Sequence, residues 1–85
     1  MDLSKATPTQ LEDYIKHWEP NAFSIQISTE LLEVSFDWCN FYLEKWMWFC
    51  DVDYGSNVQT FFFEYEYDVK KFKEFTHSGG SYDFR

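Results

Sequence analysis

Two histidines (His17, His77), two cysteines (Cys39, Cys50) and one arginine (Arg85) are the scarce groups from which this 85-residue chain could assemble metal or nucleophilic chemistry. A zinc site draws its His and Cys ligands from short local spacings, and these four residues stand far apart in the sequence. No Gly-rich phosphate loop, HExxH, GxSxG or CxxC pattern occurs. What remains is carboxylate chemistry. Glu64 and Glu66 alternate in a stretch of strand character, which sets them about 6.6 Å apart on one face and within reach of a general acid and base arrangement. An exposed pair without a cleft of converging polar groups has no physical cause for shifted pKa values. The chain is therefore expected to hold no catalytic residue, metal or cofactor, and not to be an enzyme.

The carboxylates carry a second meaning through their number. Fifteen Asp and Glu against seven Lys and Arg give a formal net charge of −8. The excess is concentrated: Glu19, Glu30, Glu33, Asp37, Glu44, Asp51, Asp53, Glu64, Glu66 and Asp68 face a single base, Lys45, between positions 19 and 68. Such a field repels phosphate backbones and anionic membranes and attracts basic surfaces. Direct nucleic-acid and membrane binding are disfavoured. Carboxylates at alternate strand positions also form a row of regularly repeated negative charge, as a nucleic-acid strand does, so a basic nucleic-acid channel is the kind of surface this chain suits. Ten Phe, six Tyr and four Trp add a large aromatic surface. A chain of this size has room for one modest core, and surplus aromatic side chains are enriched in binding patches.

The elements that must position these groups follow from capping and periodicity. Thr7, Pro8 and Gln10 read as an N-cap, a first-turn proline and a capping-box partner. Leu11, Tyr14, Ile15 and Trp18 form one apolar helical face, stopped at Glu19 by Pro20. The period then changes to two. Phe23, Ile25 and Ile27, then Leu32, Val34, Phe36 and Trp38, predict two half-buried strands joined near Thr29-Glu30. The stretch 41–53 also matches a helical face, but its aromatic content and the turn signal at Tyr54-Gly55-Ser56-Asn57 favour a hairpin with the strand 58–67.

A two-residue loop at Gly55-Ser56 sets the hairpin register. Trp46, Trp48 and Cys50 then face Tyr65, Phe63 and Phe61 on a core side. Lys45, Met47, Phe49, Asp51 and Asp53 face Glu66, Glu64, Phe62, Thr60 and Val58 on the other. That outer face has an apolar centre (Met47, Phe49, Phe62) with a carboxylate rim (Asp51, Asp53, Glu64, Glu66), extended by Glu33 and Asp37 of the preceding strand. A dry centre within a charged rim is the layout of a protein interface, and these nine residues are the candidate partner-binding set. Asp68 reads as the N-cap of a last helix bearing Val69, Phe72 and Phe75 and ended by Gly79-Gly80. The expected fold is α+β: a four-stranded antiparallel meander with an N-terminal and a short C-terminal helix packed on one face. Leu11, Tyr14, Ile15, Trp18, Trp46, Trp48, Phe61 and Phe63 are expected in one core.

One domain is expected over 1–85, with a loose leader (1–6) and a tail (79–85). Neither a signal-peptide core nor a membrane-spanning run is present, and two lone cysteines fit free thiols, so a cytoplasmic protein is expected. In size, charge and aromatic content the chain resembles phage anti-CRISPR and other anti-defence proteins, glycosylase inhibitors and immunity proteins against nuclease toxins; no motif carries that likeness. It implies a DNA-mimicking or otherwise acidic inhibitor that blocks a basic nucleic-acid-processing partner. The alternative is a structural or regulatory interaction module, one that self-associates to bury its aromatic surplus. The oligomeric state is left open by the sequence.

Overall fold

The protein is described by a computed structural model over residues 5–79. The leader positions 1–4 and the tail from 80 onward lie outside the described residues. Helix α1 (Pro8–Trp18) begins as its sequence dictates: Gln10 N–H donates to Thr7 Oγ1 at 3.2 Å, and Thr7 N–H donates to Gln10 Oε1 at 2.9 Å. This reciprocal bond satisfies two of the amide groups that every helix N-terminus leaves over. Pro20 falls in a short 3₁₀ turn, Glu19–Asn21, which turns the chain into the sheet.

Among the described residues the sheet has three strands, β1 (Phe23–Ser28), β2 (Trp48–Asp51) and β3 (Val58–Phe63), in the order β1-β3-β2 with β3 antiparallel to both neighbours. The expected four-stranded meander is thereby corrected, because the last strand lies between the other two. The β2 to β3 register does follow the sequence reading, with Trp48 opposite Phe63, Phe49 opposite Phe62, Cys50 opposite Phe61 and Asp51 opposite Thr60. It continues one step as Glu64 N–H donates to the Met47 carbonyl at 3.0 Å. The ladder stops at Asp51, so the Asp53 to Val58 pairing does not form. Instead Asp53 Oδ1 accepts from Gly55 N–H at 3.0 Å, shaping the loop. Gln59, 1% exposed, locks that loop in place. Its Oε1 accepts from Asp53 N–H at 2.7 Å, and its Nε2 donates to the Asp53 carbonyl at 2.7 Å and to Thr29 Oγ1 at 2.9 Å.

Residues expected to form the second strand are helical: α2 spans Leu32–Tyr42. Alternating Leu32, Val34, Phe36 and Trp38 suggested a strand, but the fully covered positions are Leu32, Ser35, Trp38 and Cys39, which recur at helical spacing. Two of these are small, so the pattern of large residues concealed the buried face. Ser28 starts the change of direction, its hydroxyl accepting from Glu30 N–H at 3.3 Å ahead of a 3₁₀ turn, Thr29–Leu31. With α2 crossing from one edge strand to the other and β3 inserted between them, the order is a split β-α-β followed by a hairpin return.

Helix α3 (Glu66–His77) starts three residues earlier than expected: Tyr65 is its N-cap, and Asp68 lies inside the first turn. It ends at Ser78 and Gly79, whose φ of +81° is the left-handed backbone that glycine adopts freely. Phe72, fully buried, joins the layers, its ring 4.9 Å from Phe61, 5.1 Å from Phe63 and 5.4 Å from Trp38. Ile27, Leu32, Cys39 and Phe75 complete this core. The expectation of two helices on one face and one shared core is corrected. Phe36 of α2 touches Trp48 and Phe61, and α3 covers the same side, whereas Trp18 of α1 meets Phe49 on the opposite side. The sheet is therefore flanked by helices on both faces.

Candidate functional site

The outer sheet face does gather Met47, Phe49, Asp51, Phe62 and Glu64. Phe49 and Phe62 stack with centroids 4.5 Å apart. However, α1 lies across one end of this face. The Trp18 ring stands 5.8 Å from Phe49, its Nε1–H donates to the Trp46 carbonyl at 3.2 Å, and Tyr14 donates to Glu64 Oε2 at 2.6 Å. The apolar centre is half-buried within the molecule and Glu64 is engaged internally. The Tyr14 phenol is pushed up to about 12, chiefly by its bond to the Glu64 carboxylate and secondarily by burial.

Four members of the expected set lie elsewhere. Asp53 is in the loop after β2, and Glu66 opens α3, where it accepts an ion pair from Lys70 at 3.1 Å instead of facing Lys45. Glu33 and Asp37 are on α2, in the layer on the other side of the sheet. There they form a feature that the strand reading hid. Glu33, Asp37 and Asn40 recur at i, i+4 and i+7, with Glu30 one turn before them, all exposed and opposite the buried Leu32, Ser35 and Cys39. None of these three carboxylates has an ion pair among the described residues. Like charges four apart cost an isolated helix a few tenths of a kcal/mol, so folding does not account for the stripe. The next turn after Asp37 carries Phe41, 58% exposed, with its ring 4.7 Å from that of Tyr42.

Tyr42 leads into a cavity of about 470 Å³ between the end of α2 and α3, walled by Trp38, Tyr42, Tyr67 and Phe75 with Asp68, Lys71 and Glu74. Asp68 is 8% exposed; its Oδ2 and the Trp38 indole Nε1 are closed to solvent and have no hydrogen-bond partner among the described residues. Burial pushes the Asp68 carboxyl up, and the neighbouring Glu64 adds to the rise. The nearby base does not neutralise it. Lys71 is directed to Glu74 at 3.8 Å and lies 5.6 Å from the Tyr67 ring centroid. Local sequence pattern does not disclose this cavity, because it makes Asp68 a cap and α2 a strand.

Nucleophilic chemistry finds little support in the thiols. Burial pushes Cys39 far up and Cys50 up to about 11, disfavouring the thiolate that would react. Among the described residues no three His, Cys, Asp or Glu side chains gather to hold a metal, and no helix is long and apolar enough to cross a membrane. No protein-family model, curated protein or solved structure matches the chain.

Proposed function

We propose that this protein is an inhibitor that acts by binding, occupying the basic nucleic-acid-binding surface of a nuclease or related effector. The observation that carries the reading is the stripe of Glu30, Glu33 and Asp37 on α2, exposed, without counter-charges among the described residues, and continued by the exposed Phe41. Glu33 and Asp37 are separated by about 6 Å of helix rise, against about 6.8 Å for two phosphate steps along one nucleic-acid strand. A net charge of −8 steers such a surface toward a basic channel. Aromatic anchors beside the charges would supply affinity, while the charges set association rate and salt dependence. The α2 side is favoured over the outer sheet face because α1 already takes up Glu64 and part of the Phe49 surface.

The test is inhibition of a panel of purified nucleases and CRISPR effectors by the intact chain, at low and high salt. Inhibition of a basic member that weakens steeply with salt supports the proposal. If none is inhibited, and sedimentation finds a salt-insensitive dimer, self-association replaces it.

A further inference from the structure

We propose that the free edge of β1 pairs with the same edge of a second copy of this chain, joining two sheets into one across a two-fold axis. Among the described residues β1 is an outer strand, paired with β3 on one side and with no strand on the other. The Thr29 amide donates to the Asn57 carbonyl at 2.9 Å, in register with the ladder that sets Ile27 opposite Gln59 and Ile25 opposite Phe61. Antiparallel pairs exchange their main-chain bonds at alternate residues, so Phe23, Ile25 and Ile27 bond inward to β3. The amide and carbonyl groups of Ser24 and Gln26, and the Ser28 amide, are directed outward. Soluble proteins blunt such an edge with charged side chains, proline, a bulge or a covering element. The strand Phe23–Ser28 holds no charge and no proline and pairs without a bulge, and Ser24, Gln26 and Ser28 are exposed. Helix α1 does not cover them, being anchored at Trp46, Phe49 and Glu64 on the β2 side of the sheet.

Charge selects the occupant. Positions 20–29 hold no charged residue in a chain of net charge −8, so this is an edge along which two identical acidic chains meet with little repulsion. The other outer strand, β2, is shorter and ends in Asp51. A two-fold axis at Ile25 lets Ser24 and the second copy's Gln26 exchange both main-chain bonds and sets Phe23 beside the second copy's Ile27. The Phe23 side chain is 39% exposed, an apolar ring that its own fold leaves over. Beside Ile27, on the same face, lies a groove of about 280 Å³ walled by Ile25, Ile27, Leu31 and Thr76 with Lys73 and His77. Each copy thus offers the ring that the other's groove receives, which is the self-complementary patch of an isologous dimer. Glu19 and Glu30 bound the charge-free run at its two ends and keep the pairing weak. The dimer does not rest on the inhibitor reading, because its contacts belong to β1.

Sedimentation velocity of the intact chain, from micromolar to near-millimolar concentration and at low and high salt, tests the pairing. A reversible equilibrium of monomer and dimer is expected, with a dissociation constant on the order of 100 µM for an interface below the standard size. It should tighten several-fold at high salt, as repulsion between the two acidic copies is screened. Docking on a basic effector has the opposite salt dependence, so the failure of either reading leaves the other standing. Gln26→Glu, close to isosteric and exposed, should weaken the dimer several-fold by adding a carboxylate to each side of the seam. Gln26→Pro removes only an outward amide and is tolerated on an edge strand, so it should abolish the dimer while the melting curve of the dilute monomer stays near that of the parent. Amide exchange at Ser24 and Gln26 should slow as the parent concentration rises. A monomer throughout the range overturns the proposal, and slow exchange at Ser24 and Gln26 in that monomer assigns the edge to another segment of the same chain. A dimer that both variants leave intact forms on a different surface and overturns it equally.

Discussion

Tyr14 of α1 donates its hydroxyl to Glu64 Oε2 at 2.6 Å, fastening the N-terminal helix to the end of β3 across fifty positions of sequence. Only Trp18 of α1 is buried, so this bond and the Trp18 indole contact carry much of the attachment of α1 to the sheet. Removing the hydroxyl with Tyr14→Phe should cost about 1–2 kcal/mol, the lower part of the range for a bond to a charged group because the site is half-exposed. Urea unfolding measures it. The folded-state phenol lies near 12 and the unfolded one at 10.0. The unfolded chain thus loses its proton first, so the contribution is complete below about pH 10 and is lost between pH 10 and 12. The Tyr14→Phe protein should lack that alkaline decline.

Gln59 offers a sharper stability test. Gln59→Leu keeps the volume but takes from the Asp53 amide its acceptor, while the Asp53 carbonyl still accepts from Ser56 N–H and the Thr29 hydroxyl still donates to the Ser56 carbonyl. The cost should be about 1–3 kcal/mol, since one part-buried amide is left unsatisfied and two further bonds of Gln59 are lost. Thermal melting should fall markedly. Amide exchange should accelerate first at Asp53, whose N–H the side chain holds.

How far the sequence discloses this molecule depends on where the deciding information resides. The capping of α1 by Thr7 and Gln10, the hairpin register from Trp48 to Asp51, and the core residues Phe61, Phe63 and Phe72 are set by local chemistry and by strict alternation, and all are readable. Helix α2 is not, because its buried face uses the small Ser35 and Cys39 while the large Val34 and Phe36 sit at its flanks. A period-2 pattern of large residues then imitates a strand. The same imitation sets Glu33 and Asp37 on a sheet, and the cavity, which needs both α2 and α3, has no sequence signature. The central place of β3 depends on long-range pairing with β1, which neither strand's own pattern records.

Asp37→Lys should separate stability from binding. It replaces a like-charge neighbour of Glu33 by an i, i+4 ion pair, a gain of about 0.4–1 kcal/mol, or roughly 2–6 °C in melting temperature. The same change removes charge from the proposed docking stripe, so association with an inhibited partner should slow and lose part of its salt dependence. Asp51→Lys on the outer sheet face serves as the control and should leave association nearly unchanged if α2 is the docking surface. Stopped-flow rates at several salt concentrations distinguish the two faces.

Asp68→Asn has a pH signature of its own. The carboxyl titrates from 3.8 in the unfolded chain and at a higher pH in the folded one, through burial first and then Glu64; Cys39, Lys71 and Glu74 are the other ionisable groups about it. The folded state holds the proton longer, so native stability falls as pH rises through that window. Asparagine has no such loss. The variant should therefore melt higher than the parent near neutral pH, with the advantage vanishing below pH 3.8.

The proposed inhibition requires the protein and nucleic acid to compete for one basic surface, which competition binding measures without intermediate steps. For an effector that the chain inhibits, its affinity is determined by titration at fixed salt with rising concentrations of the effector's nucleic-acid substrate, for the parent and for Glu33→Lys with Asp37→Lys. Mutually exclusive binding is predicted, with the apparent dissociation constant rising in proportion to substrate and the double variant binding at least tenfold more weakly. A stable ternary complex at saturating nucleic acid, with the double variant as tight as the parent, would rule out a shared basic surface.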